Sequence, residues 1–350
     1  MTIRSLSILM AALVFLLSAP GLSAEKEPLT VAMSIRSLTS DYHMQYVAGA
    51  QAFIDTLPKG TAEIKILSCE ANDNKQITDI IELIKEKGDN IILFIDPNNA
   101  RNLVDIANIC ENAGVYWCSA WNIPNSINPL QYKYWVMHQT CDGVKQGYDI
   151  AIEVFKNFAT PGAGNLLIMQ GMLSNTANST RMDGLNQALM EYPDVMIMDT
   201  QACDWNRDKA KAAMTSWLSV HEDFDGVWCA SDAMALGVIE VLKEAKLDRK
   251  VAVVGVDGFP AAIAAVEDGD LSCTISNNGW MQGGYGVAYA YAAKTGKLDT
   301  ATMDKKHRMF YTSGFLVNAD TVAQYKKEFI ENVPVYDYNN LDFPIAKEMR

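Results

Sequence analysis

The feature that most restricts this chain is an alternation. From residue 29 to about residue 294, short apolar runs take turns with stretches of helical periodicity. LTVAMSI (29–35), AEIKILSC (62–69), NIILFID (90–96), VYWCSAW (115–121) and YWVMHQT (134–140) form a first series, with helices expected near 42–57, 75–87 and 100–113. NLLIMQG (165–171), VMIMDTQAC (195–203), GVWCAS (226–231), VAVVGVD (251–257) and LSCTIS (271–276) form a second. Its helices are expected near 143–158, 176–190, 207–220, 232–247, 260–268 and 280–294. A strand that is apolar on both faces and leads into a helix belongs in a parallel sheet covered on both sides. So many strands exceed what one open sheet carries comfortably. The expected fold class is α/β, with two doubly wound parallel-sheet lobes.

The first 24 residues stand apart. MTIRSLSILMAALVFLLSAPGLSA has Arg4 near its start, an apolar run from Ile8 to Leu17, and small residues up to Ala24. That is the three-part pattern of a secretory signal peptide. The run is shorter than the ~20 residues a membrane span needs, and no cysteine near the cut indicates a lipid anchor. A soluble, exported, periplasmic protein is therefore expected. What remains after residue 24 is more than one core usually serves, and 49% hydrophobic residues supply ample core. The net charge of −13 argues against nucleic acid as a partner, because its backbone demands clustered Lys and Arg.

Export makes one or two disulfides possible among Cys69, Cys110, Cys118, Cys141, Cys203, Cys229 and Cys273, with the pairing open. No C-x-x-C pair suggests zinc or redox chemistry. His43, His138, His221 and His307 are scattered, and neither H-E-x-x-H, G-x-S-x-G nor a phosphate loop occurs. No catalytic residue, metal or cofactor is expected.

Polar and aromatic residues gather where the apolar runs end. The stretches are RSLTSDYH (36–43), SAWN (119–122), QGMLSNTANSTR (170–181), ACDWNRD (202–208), ASD (230–232), VDG (256–258) and SNNGW (276–280). Open α/β sheets bind ligands at the carboxyl ends of their strands. Asp232 stands at such an end, although an aspartate there is also an ordinary helix N-cap. Capping does not account for Trp121 and Trp205, placed beside Asn122 and Asp204. Flat rings among carboxylates and amides suit a sugar or polyol, whose C–H faces stack while each hydroxyl both donates and accepts. The competing readings are a turn at Asp257 and core packing for Trp205. Met44, Met172, Met182 and Met234 read as core fillers.

SDAMALGVIEVLKEAK (231–246), VVGVDGFPAAIAAVEDGDLSCTIS (253–276) and GGYGVAYAYAAKTGK (283–297) resemble the periplasmic sugar-binding proteins of the ribose/galactose type. The ligand-binding cores of LacI-type repressors belong to the same group. The resemblance runs from about Thr30 to Leu316 and implies a type I periplasmic binding protein fold, whose two lobes are joined by a three-crossing hinge and close on ligand. Carried onto this chain, the first lobe is 29–139 with 278–311, and the second is 140–277 with 312–350. Tyr42 and His43 fall where ribose binders keep a stacking pair, and Trp205 matches another stacking ring. Asp257 matches a carboxylate that accepts from sugar hydroxyls. Ser231 takes the place of a ligand-contacting Asn, with Asp232 beside it, and Asn277 that of a hinge-side Gln. Two departures stand out. The Asp-Arg pair after strand four is here Trp121-Asn122. The second-lobe Arg clamp is replaced near Asn178-Ser179, with Arg181 as its substitute. These changes point to a smaller polyol, a less hydroxylated sugar derivative or another compact polar molecule. The implied role is capture by a monomer for the permease of an ABC transporter. The alternative is presentation of the closed form to a membrane sensor kinase or chemoreceptor.

Overall fold

The computed structural model describes residues 27–247 and 249–349, and the leader expected at 1–24 lies outside the described residues. In the first sheet β1 (Leu29–Ile35) lies between β2 (Ala62–Ser68) and β3 (Ile91–Ile95). Next to β3 come β4 (Trp117–Ala120) and then β5 (Trp135–Cys141), all parallel. Helices α1 (Asp41–Ile54), α2 (Asp73–Lys87) and α3 (Asn102–Ala113) connect them. The second sheet contains β6 (Gly164–Gln170), β7 (Val195–Ala202), β8 (Gly226–Cys229), β9 (Ala252–Val254) and β10 (Cys273–Ser276), in the order β10-β9-β8-β6-β7. Around it wind α4 (Gly143–Lys156), α5 (Thr176–Glu191), α6 (Arg207–Trp217), α7 (Asp232–Glu244) and α8 (Pro260–Asp268). Every residue of β1, β3 and β5 is buried. Helices cover both faces of these strands and leave no wet side for polar residues, which is why they read as unbroken apolar runs. The two doubly wound lobes are those expected. At its far edge, β7 carries exposed Met196, Ile197 and Met198.

The chain passes between lobes after Cys141, after Ser276 and after Thr312. The second passage leads into α9 (Gly279–Lys294), which packs on the first sheet. β11 (Met309–Thr312) then pairs parallel with β5, and β12 (Phe315–Asn318) pairs antiparallel with β10. All of 312–350 was expected in the second lobe. Instead β13 (Lys347–Glu348) pairs with β11 in the first sheet. Tyr336, Tyr338 and Phe343 pack on Tyr285 of α9. The terminal segment therefore recrosses the hinge, making a fourth passage. β11, β12 and β13, of four residues or fewer, have no counterpart in the expected elements.

All seven cysteines are buried and free, so no disulfide forms among them. They are spread over both lobes and packed as small hydrophobes. Burial pushes the Cys118, Cys229 and Cys273 thiols up, away from the reactive thiolate.

In each lobe a helix beside the hinge is in backbone contact with its neighbour. A Cβ on Gly283 of α9 would stand 2.2 Å from the Tyr46 carbonyl oxygen of α1. In the second lobe, a Cβ on Gly147 of α4 would stand 1.9 Å from the Arg181 carbonyl oxygen of α5. Only glycine permits these approaches. They set the heights of the residues that α1 and α5 carry toward the gap. Gly147→Ala is expected to destabilise the protein by ~1–3 kcal/mol, since the opposing atom is main chain and cannot rotate away. The effect would be read as a lower urea midpoint at unchanged slope.

Candidate functional site

The carboxyl ends of both sheets face one another across a cavity of about 750 Å³. Arg36, Tyr42, His43, Asp96, Trp121 and Asn122 line it from the first lobe; Asn175, Arg181, Trp205, Ser231 and Asp257 line it from the second. The lobes touch beside it. Asn175 Nδ2 donates to the Asn98 carbonyl at 3.0 Å, and the Ile123 N–H donates to Thr176 Oγ1 at 3.1 Å. The Ala177 N–H donates to Asn122 Oδ1 at 3.4 Å. The N-terminal turn of α5 is thus pressed on the loops that follow β3 and β4, and the protein is in a closed form.

Arg181 is the central group. Its guanidinium carbon lies 5.1 Å from the centre of the Trp121 ring and 5.6 Å from that of Trp205. The cation thus contacts an indole from each lobe. One terminal nitrogen donates to the Ala230 carbonyl at 2.7 Å, and another is 3.8 Å from Asp257 Oδ1. Trp205 Nε1 donates to Asn175 Oδ1 at 2.8 Å, which fixes the ring. Trp121, Trp205 and Asp257 all have positive φ, at 62°, 60° and 134°. Side chains rarely adopt that region, and such strain gathers at functional sites.

On the opposite wall Tyr42 donates its phenol to Gln282 Oε1 at 2.7 Å and sets its ring 5.6 Å from that of Trp121. His43 Nε2 pairs with Asp96 Oδ2 at 3.1 Å. Among the buried side-chain atoms of the residues that line the cavity, four have no hydrogen-bond partner within the protein: His43 Nδ1, Asn98 Oδ1, Arg181 Nε and Ser231 Oγ. Buried polar atoms are seldom left so.

Eight of the ten expected site residues line the cavity: Tyr42, His43, Trp121, Asn122, Arg181, Trp205, Ser231 and Asp257. Asp232 does not. It is fully buried, accepting from Thr274 Oγ1 at 2.7 Å and from the Phe259 N–H at 2.8 Å. It is no N-cap either; Ser231 holds that position, and Asp232 instead ties α7 to the chain on both sides of α8. Asn277 is also fully buried, accepts from Gln146 Nε2 and belongs to the hinge. Met172 lines the cavity and Met44 is 38% exposed, so neither is a core filler. Arg36, Asp96 and Asn175 are cavity residues that sequence reasoning passed over. Each sits at the end of a strand or just past it, but nothing local distinguishes them from caps.

Burial pushes the Asp257 carboxyl up to about 8, against the pull of Arg181 and with help from Asp232. Burial likewise raises Asp232, opposed by its hydrogen bonds from Thr274 and Phe259.

Comparison with known proteins agrees with the two-lobed fold. The sequence model described as a periplasmic binding protein domain matches residues 31–298. The xylitol-binding protein of Mycolicibacterium smegmatis is 36% identical over 137 residues, 39% of this chain and 39% of that protein. The D-allose-binding periplasmic protein of Escherichia coli is 31% identical over 160 residues, 45% of this chain and 51% of its own length. The chain thus spans about half or less of either relative. A crystal structure of a twin-arginine translocation pathway signal protein from Burkholderia phytofirmans is 31% identical and superposes with a TM-score of 0.87, covering 92% of this chain and 99% of that one.

The raised Asp257 carboxyl has a consequence for stability. The folded protein holds a proton that the unfolded chain releases near pH ~4, so stability falls as pH rises from there to about 8. Asp257→Asn is expected to flatten that fall. Thermal melts of both proteins at pH 5 and pH 8 would show it.

Proposed function

Because the chain belongs to the periplasmic binding protein domain family, we propose that its cleft captures one small polyhydroxylated molecule, a sugar or polyol, and hands it to a membrane transporter. The observation that carries the reading is the make-up of the closed cavity. The rings of Tyr42, Trp121 and Trp205 stand beside the guanidinium of Arg36, the carboxyl groups of Asp96 and Asp257 and the amide of Asn122. A hydroxyl both donates and accepts, so a polyol can pair with all three kinds of group at once. Asp257 accepts from hydroxyls, and Trp205 offers an apolar surface to C–H groups. The names of two relatives, one binding xylitol and the other D-allose, support this ligand class.

In this reading, binding is not coupled to chemistry. The ligand favours the closed form because only there do both lobes touch it. Closure strips water from the cavity, so a guest lacking the right hydroxyls leaves protein groups unpaired and is rejected. The protein works as a periplasmic monomer whose closed form is the species a transporter recognises.

Thermal-shift screening of pentoses, hexoses, pentitols and inositols, followed by calorimetry on the hits, tests the proposal. One compound is expected to bind with one-to-one stoichiometry. Trp205→Ala is expected to weaken its binding by ~1–3 kcal/mol. Arg181→Lys keeps the charge but loses the planar fork between the indoles, and is expected to weaken binding as well. A panel in which no sugar or polyol shifts the melting temperature would overturn the assignment.

A further inference from the structure

The two walls of the cleft are joined through the hinge by side chains that line no part of the cavity. Gln282, in the first turn of α9, is fully buried. Its Oε1 accepts from Tyr42 at 2.7 Å and from Tyr46 at 3.2 Å. Its Nε2 donates to Thr312 Oγ1 at 2.7 Å and to Cys141 Sγ at 3.5 Å. Cys141 and Thr312 are register partners at the ends of β5 and β11, the last strand residues before the first and third passages. Their thiol and hydroxyl are 3.2 Å apart. One amide side chain thus holds a cleft-wall ring and the roots of two hinge passages, and it sits just past the second.

Across the hinge the pattern continues. Gln146, in the first turn of α4, donates its N–H to the carbonyl of Asp142, the residue next to Cys141, at 2.9 Å, and its Nε2 donates to Asn277 Oδ1. Asn277 opens the second passage, and its N–H lies 3.4 Å from the Asp257 carbonyl. The Asp257 N–H donates in turn to Ile275 at 2.9 Å, which helps to hold the positive φ of Asp257. Tyr42, Gln282 and Cys141 therefore form one polar chain, in the first lobe, and Gln146, Asn277 and Asp257 a second, which runs from the hinge into the second lobe. The two meet where the backbone runs from Cys141 to Asp142, so any rotation of α4 against β5 turns one chain against the other.

We propose that Gln282 and Gln146 are positioning residues that couple the hinge angle to the cleft walls, holding Tyr42 and Asp257 in register when the lobes are closed. The proposal rests on the reading of the cleft as a ligand trap. A buried polar network with several shared members acts as a unit, so its members contribute non-additively.

The test uses the full chain with Gln146→Leu, Gln282→Leu and the double substitution. Lobe separation is followed by small-angle X-ray scattering without added ligand, and affinity by calorimetry with xylitol and D-allose as probes. Each single substitution is expected to raise Kd about tenfold for a probe that binds, and the double to raise it little further. The radius of gyration of the ligand-free protein is expected to increase in all three. A merely structural role would lower the melting temperature and leave both Kd and scattering unchanged; that result overturns the proposal. A raised Kd with unchanged scattering also overturns it, since it reports only local damage to the cleft. Should neither probe bind the unsubstituted protein, scattering still decides: wild-type dimensions in Gln146→Leu and Gln282→Leu refute the coupling, and expanded ones support it. If Gln282→Leu does not fold, Tyr42→Phe replaces it. That change keeps the ring and removes only the hydrogen bond to Gln282, and it is expected to raise the radius of gyration too.

Discussion

Main chain pressed against main chain is the constraint on which this structure depends. In each lobe a helix beside the hinge lies so close to its neighbour that only glycine fits at the contact, Gly283 against Tyr46 in one and Gly147 against Arg181 in the other. Contacts between backbones do not adjust as side chains do. α1 and α5 are therefore held at fixed heights over the ends of their sheets, and with them Tyr42 and Arg181. The same two contacts bring α9 and α4 to the hinge, where Gln282 and Gln146 point inward. Cleft walls and hinge are thus set by one kind of packing, used beside the hinge in each lobe.

Within that frame the electrostatics are unusual. A guanidinium and two carboxyl groups stand in the second lobe, Arg181 and Asp232 buried and Asp257 partly buried beside Arg181. Leaving any of them unpaired would be costly. Asp232 meets the requirement internally, accepting from Thr274 and Phe259. Arg181 meets it through the Ala230 carbonyl and through two indole faces, each of which attracts a cation. Asp257 is the least satisfied of the three and the one in the most strained backbone. Of the two carboxylates it is also the one that faces the cavity. A neutral guest rich in hydroxyls supplies what that carboxylate lacks without adding a further charge.

The terminal segment adds a feature beyond the three hinge passages. Tyr325 is within hydrogen-bond distance of Ser276 on the second lobe, at 2.9 Å. Some residues later Tyr336 accepts from Asn278, and Tyr285 and Tyr289 donate to the carbonyls of Asp337 and Leu341. The segment is therefore anchored on both lobes, with aromatic residues at each end. Opening of the cleft has to stretch or release the residues between these anchors.

The alternation of apolar runs with helical stretches determined the layers, the number of lobes and the end of each sheet that lines the cleft. It did so because strands buried on both faces carry their environment in their composition. Eight of the ten expected cleft residues were legible for a related reason: aromatic and polar residues just past a buried strand have few other places to go. Asp232 and Asn277 were misplaced because a carboxylate or amide at such an end looks the same in sequence whether it faces a cavity or a neighbouring strand. Only the tertiary structure decided that Arg181 would lie against two indoles, that Gln282 would hold Cys141 and Gln146 hold Asn277, and that the last strand would return to the first lobe. Those outcomes depend on contacts between residues far apart in the chain, such as Tyr42 with Gln282, 240 positions on. Local periodicity reports which face of an element is buried and is blind to what buries it.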